Sequence, residues 1–173
     1  EKYVIEQILF NSDTNFNLII LRPTAVFGEG GKNLLKNMEE INKDGALLKF
    51  LKNFILGNRH MHLVSVENVI KAIDFFIKKE SIGKNIFFVS QDSDKLNYYK
   101  NISNEISFII RGCSYTYFKD LSIPNFFLKI LFRILGKRYE EISSIYSTNK
   151  IEKEGFILDK DLKNSLKSFV NKK

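Results

Sequence analysis

The 173-residue sequence contains a single cysteine, Cys113, so no disulfide can close within it, which fits a reducing compartment and predicts a cytoplasmic protein. No apolar run approaches the ~20 residues needed to cross a bilayer, which predicts no integral membrane segment. The opening Glu1-Lys2-Tyr3-Val4 does not read as a signal peptide. Arg-rich or aromatic-interleaved basic patches are also missing. The net charge of +7 comes from Lys scattered along the chain, which argues against nucleic acid as a partner. A solvated surface or a phosphate-bearing small molecule remain as readings of that charge. Only two histidines are present, His60 and His62. Alternate spacing would place both on one strand face, but apart from Glu67 no Cys, Asp or Glu stands in ligand spacing, so no metal site is expected. Cys113 lacks neighbours that would make it a nucleophile and is predicted to be a small buried residue.

What is present describes a folded domain. Hydrophobic residues make up 44% and charged residues 27%, too apolar a mixture for disorder, and 16 Phe predict a core rich in Phe and Ile. With no internal repeat and no low-complexity linker, one domain is expected. Val4, Ile5, Ile8 and Leu9 have helical spacing, so the chain opens in an amphipathic helix. Asn17 to Arg22 reads as a strand buried on both faces, stopped by Pro23 and followed by the loop Gly28-Glu29-Gly30-Gly31. A helix is expected over 32–43, then a less regular segment through Phe54. Leu63–Val66 and Asn85–Val89 read as strands. Between them a helix over Val69–Lys78 is expected to turn Val69, Ile70, Ile73, Phe76 and Ile77 inward. Further helices are expected over 95–105, from Pro124 to Leu135, over Tyr146–Lys153 and over Leu162–Val170, with strands at Ile106–Ile110 and Tyr115–Phe118. Alternating strands and helices argue for an α/β fold. Ile123–Leu135 is apolar almost all round, which predicts a core or oligomer-interface helix; Lys129, Arg133, Lys137 and Arg138 keep peripheral membrane attachment open.

Four segments carry a resemblance. Leu21-Arg22-Pro23-Thr24-Ala25-Val26-Phe27-Gly28 resembles the R-P-x-x-V-[YF]-G strand end of the extended short-chain dehydrogenase/reductases, the NAD-dependent epimerase/dehydratase family. Upstream, Glu1-Lys2-Tyr3-Val4-Ile5-Glu6 is similar to the S-K-x-x-x-E that ends that family's Y-x-x-x-K motif. Downstream, Leu63 to Ile73 resembles [FY]-V-H-V-x-D-V-A-x-A-I, and Tyr146 to Phe156 resembles S-x-K-A-x-x-x-L-G-[FWY]. The four occur in the family's order and spacing over nearly the whole chain. The resemblance implies a partial Rossmann-type parallel sheet, its last strands, plus a small C-terminal α/β substrate-binding subdomain. Residues 1–60 would end the Rossmann-type domain and 61–173 would be mainly substrate-binding.

The implied chemistry is hydride transfer between a nucleotide-diphosphate sugar and NAD or NADP. Epimerase, dehydratase and reductase of a non-sugar carbonyl all remain open, as does a stand-alone binding or interaction domain. In the family a Tyr one helical turn before a Lys is the base, and the ammonium favours its phenolate. Lys2 matches that Lys in its catalytic and cofactor-binding roles, whereas the matching Tyr would precede residue 1 and Tyr3 faces elsewhere. Gly28-Glu29-Gly30-Gly31 is not a G-x-G-x-x-G, and residues 1–173 alone are expected neither to bind NAD(P) normally nor to turn over substrate. Pro23, Thr24, Ala25 and Val26 map onto the strand end that touches nicotinamide and sugar. Thr24 stands where several members carry a substrate-binding Asn. Arg59 reads either as a diphosphate ligand, its fork suited to two oxygens, or as a surface arginine; Arg111 and Arg138 are further candidates. Asn68 replaces the motif's Asp and is expected to cap the following helix. Exposure of the apolar face of residues 17–22 predicts self-association, hence a homo-oligomer, or cover from a larger parent.

Overall fold

The computed structural model describes residues 1–12, 16–31, 33–79, 83–113, 123, 125–134, 136, 144–159 and 161–172. Among these the order is α1 (Lys2–Phe10), β1 (Leu18–Pro23), β2 (Ala25–Phe27), α2 (Asn33–Lys43), α3 (Ala46–Leu56), β3 (Leu63–Ser65), α4 (Val66–Ile77), β4 (Lys84–Val89), α5 (Tyr99–Arg111), α6 (Asn125–Ile134), α7 (Asn149–Lys153) and α8 (Leu162–Asn171). The fold is mixed α/β with parallel pairing. β1 runs parallel to β4, and β2 parallel to β3, in two separate two-stranded sheets. Both ladders cross the expected division at residues 60 and 61.

Strand alternation explains why there are two cores. Neighbouring residues Leu63 and Val64 point to opposite faces of β3. Leu63 joins Phe27, Leu34, Met38, Ile41, Ile102, Ile106, Leu162, Leu166 and Phe169 between α2, α5 and α8. Val64 joins Ala72, Phe76, Phe87, Val89, Ile151, Phe156 and Leu158 between α4, β4 and α7. Phe76 stacks on Phe87 with centroids 4.6 Å apart. Leu34, Met38 and Ile41 on α2, and Leu162, Leu166 and Phe169 on α8, keep the i, i+4, i+7 rhythm that lays one helix face on this core.

Several expectations are corrected. Ile106–Ile110 is not a strand but the end of α5: Ile102 and Ile106 are buried one helical turn apart, while Phe108 and Ile110 face out. Gly112, at φ +70°, supplies the left-handed residue that ends this helix. The segment after residue 43 is also more regular than expected, because α3 continues to Leu56 with Phe50 and Phe54 stacked one turn apart. On α4 the buried stripe is Asn68, Ala72 and Phe76, so Ile70, Ile73 and Ile77 face outward. That helix is apolar on most sides, and periodicity alone could not select its inner face. Ser65, not Asn68, caps it: the Ser65 hydroxyl accepts from Asn68 N at 3.3 Å. Residues 144–148 precede α7 without helix, so the helix expected from Tyr146 begins at Asn149. Cys113, just past α5, is exposed rather than buried. Residues 115–118, Pro124, Leu135, Lys137 and Arg138 lie outside the described residues.

Candidate functional site

The site begins where one strand changes partners. Pro23 is the last β1 residue in register with β4, opposite Val89, and Thr24 N still donates to Val89 O at 3.1 Å. One residue on, Ala25 N donates to His62 O at 2.7 Å, and β2 continues beside β3. Thr24 is therefore the switch between the two sheets, at the carboxyl ends of β1 and β4. Open parallel sheets bind ligands at such ends.

The same edge is where β4 runs into Ser90, Gln91 and Asp92, all buried. Asp92 Oδ2 lies 2.7 Å from His62 Nδ1, and the Asp92 side chain has no solvent exposure. Its Oδ2 also accepts from Tyr146 N at 3.0 Å, and its Oδ1 from Asn97 Nδ2 at 3.4 Å. A carboxylate bonded to Nδ1 favours the tautomer with the proton there, which leaves Nε2 with its lone pair free to accept. His62 Nε2 is buried and has no hydrogen-bond partner among the described residues; the same holds for Thr24 Oγ1 and His60 Nδ1. Burial depresses the His60 pKa below 6.5; the Asp92 charge opposes that shift and His62 adds to it. His62 is also the only non-glycine with positive φ among the described residues, at +54°, a backbone conformation that costs free energy and collects at functional sites.

Aromatic rings enclose the pair. His60 and His62 stack with centroids 5.6 Å apart and planes 19° from parallel, so their in-plane lone pairs do not converge on one ion. Tyr98 lies 4.0 Å from His60, and Tyr146 meets the His62 ring edge-on at 5.2 Å. Side-chain amides fix the strand beneath. β3 has β2 on one edge; on the other, Asn97 bonds both Leu63 N and Leu63 O at 2.9 Å, and Gln91 Oε1 accepts from Ser65 N at 2.9 Å. Gln91 and Asn68 then both hold the backbone of Asp159, tying the chain before α8 to this edge.

Of the residues expected from the sequence, Thr24 lies in this cluster, flanked by the exposed Pro23 and Ala25, and Val26 is exposed in β2. Arg59 immediately precedes His60. Its backbone bonds Leu56 O and Tyr99 N, and its side chain is exposed at the amino end of α5. Arg111 is at the other end of that 13-residue helix, ~18 Å along its axis, bonded to Asn42. The structure therefore does not bring Arg59 and Arg111 to one ligand. Lys2 is exposed in the first turn of α1. That helix is held to β1 by a forked ion pair between Glu6 and Arg22, the Nε bond measuring 3.2 Å. The pair draws the Glu6 carboxyl below its usual pKa and raises that of Arg22.

Asp92, Tyr146, Gln91 and Asn97 were missed from the sequence. The available signal was a polar run, Ser90 to Asn97, directly after a buried strand. The Gly28 loop borders a cleft of about 110 Å³ lined by Phe27, Gly28, Glu29, Glu67, Phe169 and Lys172. This is below the ~300 Å³ at which ligand pockets start, so it cannot enclose a nucleotide sugar. In comparisons with protein-family models, curated proteins and solved structures, nothing matches the chain.

Proposed function

We propose that the chain is the substrate-side part of an extended short-chain dehydrogenase/reductase that acts on a nucleotide-diphosphate sugar. The observation that supports this reading is that the four family-like segments contact one another in sequence order. Glu6 of the first pairs with Arg22 of the second. Ala25, Val26 and Phe27 of the second pair in parallel with Leu63, Val64 and Ser65 of the third. Ile151 and Phe156 of the fourth pack in one core with Val64 and Ala72 of the third. These contacts join the first segment to the second, the second to the third and the third to the fourth.

Roles follow from chemistry. Thr24 can offer its hydroxyl to the sugar, and His62, held by Asp92, can accept a hydrogen bond from a sugar hydroxyl through Nε2. Arg59, exposed and next to His60 in sequence, can offer its planar fork to the diphosphate. Toward a nicotinamide dinucleotide, NAD or NADP, this chain offers Lys2 for the ribose and Pro23 to Val26 for the ring. The dinucleotide would supply the hydride acceptor, while these residues orient the sugar carbon. Between epimerase, dehydratase and reductase, the residues present favour epimerase only by the resemblance.

Isothermal titration with UDP, dTDP and GDP, and with NAD and NADP, tests the reading. One nucleoside diphosphate should bind, and Arg59→Ala should abolish the binding. Silence toward all three diphosphates, or binding indifferent to Arg59→Ala, would contradict it.

A further inference from the structure

Helix α6 was expected to be buried in a core or an interface, yet much of it is bare. Phe126, Phe127, Ile130 and Ile134 are 67, 61, 44 and 77% exposed, whereas Phe132 is buried. At roughly 100° per residue these four occupy one arc of about 100°, centred opposite Phe132. Lys129 and Arg133, both exposed, lie one turn apart along one border of that arc. No acidic residue occurs from Asn125 to Arg138, while Lys137 and Arg138 extend the basic run. The whole chain carries +7.

We propose that α6 docks this protein on an anionic phospholipid surface, lying in the plane of the headgroups with its phenylalanines and isoleucines toward the acyl chains. Three observations choose this occupant. Phe132 is buried on the side away from the arc, so the exposed arc points outward. The basic border complements lipid phosphates, and positive charge beside an apolar stripe is the mark of an interfacial helix. With 10 residues α6 is about 15 Å long, half of what a bilayer core requires, so the geometry open to it at a membrane is to lie on the surface. An antiparallel second copy would set the same basic border beside itself, which disfavours that pairing.

Co-sedimentation with phosphatidylcholine–phosphatidylglycerol vesicles, against pure phosphatidylcholine vesicles, provides the test. The protein should pellet with the anionic vesicles and stay in solution with the neutral ones. Phe127→Ser with Ile134→Ser should weaken partition about tenfold or more, and Lys129→Glu with Arg133→Glu by about tenfold. All four residues are exposed, so unchanged far-UV circular dichroism should accompany both losses. Absence of pelleting, equal pelleting with neutral vesicles, or full binding by both variants would overturn the proposal. So would light scattering that shows a dimer dissociated by Phe127→Ser with Ile134→Ser, because α6 would then join two copies of the chain.

Discussion

Replacing Asn97 with alanine should destabilise the protein more than most polar substitutions can. Asn97 is fully buried, and its amide works as a miniature strand: Oδ1 accepts from Leu63 N and Nδ2 donates to Leu63 O, both at 2.9 Å. Alanine would leave those two backbone groups, on a buried residue, without partners. Each orphaned group costs about 1–3 kcal/mol, so the pair should cost roughly 3–5 kcal/mol. The weaker bond to Asp92 at 3.4 Å adds to the loss. For a chain of this size each kcal/mol lowers Tm by roughly 2–4 °C, so a fall of about 10 °C is expected. The sequence has no tryptophan, so urea unfolding followed by far-UV circular dichroism is the suitable assay. Asn97→Asp should be no better, because it keeps the acceptor but turns an oxygen toward Leu63 O. A loss under about 1 kcal/mol for Asn97→Ala would refute the argument, since water would then be satisfying the edge of β3.

Two further outcomes follow from the same geometry. A methyl group at Gly28 would collide with Val66 Cγ1 and come within 2.8 Å of Val66 Cβ, so Gly28→Ala should cost about 1–3 kcal/mol; Val66→Ala removes the Cγ1 collision but keeps Cβ, so in a double-mutant cycle the pair should cost less than the sum of the single changes. Burial holds the His60 pKa below its unfolded value of 6.5, so the unfolded state takes up the proton first as pH falls. Stability should be unaffected by this group above that value and decline as pH drops beneath it, and His60→Phe should flatten that part of the stability–pH curve.

Elements that depend on local patterning were readable in the sequence. β1 and β4 are short apolar runs ended by Pro23 or by a polar stretch, and α2 and α8 show clear helical rhythm. Misreadings came where a segment is apolar in every direction. Ile106–Ile110 satisfies both a strand and a helix pattern, and only its burial against α2 and α8 decides for the helix. α4 and α6 likewise offer several apolar faces, and tertiary contact selects Ala72 and Phe76 on one and Phe132 on the other. Of the candidate cluster, Thr24 could be picked out by resemblance. Asp92 could not, because its partners His62 and Tyr146 are 30 and 54 residues away. Nor could Asn97, since an asparagine that completes a strand edge looks locally like any turn asparagine.

The most direct test of the central claim is chemical-shift mapping of the isotope-labelled chain during titration with UDP-, dTDP- and GDP-sugars. One of them should perturb Thr24, Arg59, His62 and Tyr146 together, with the His62 imidazole Nε2 shifting as it accepts a hydrogen bond. Perturbations confined to the cleft beside Gly28, or absent with every nucleotide sugar, would contradict a sugar site at the carboxyl ends of β1 and β4.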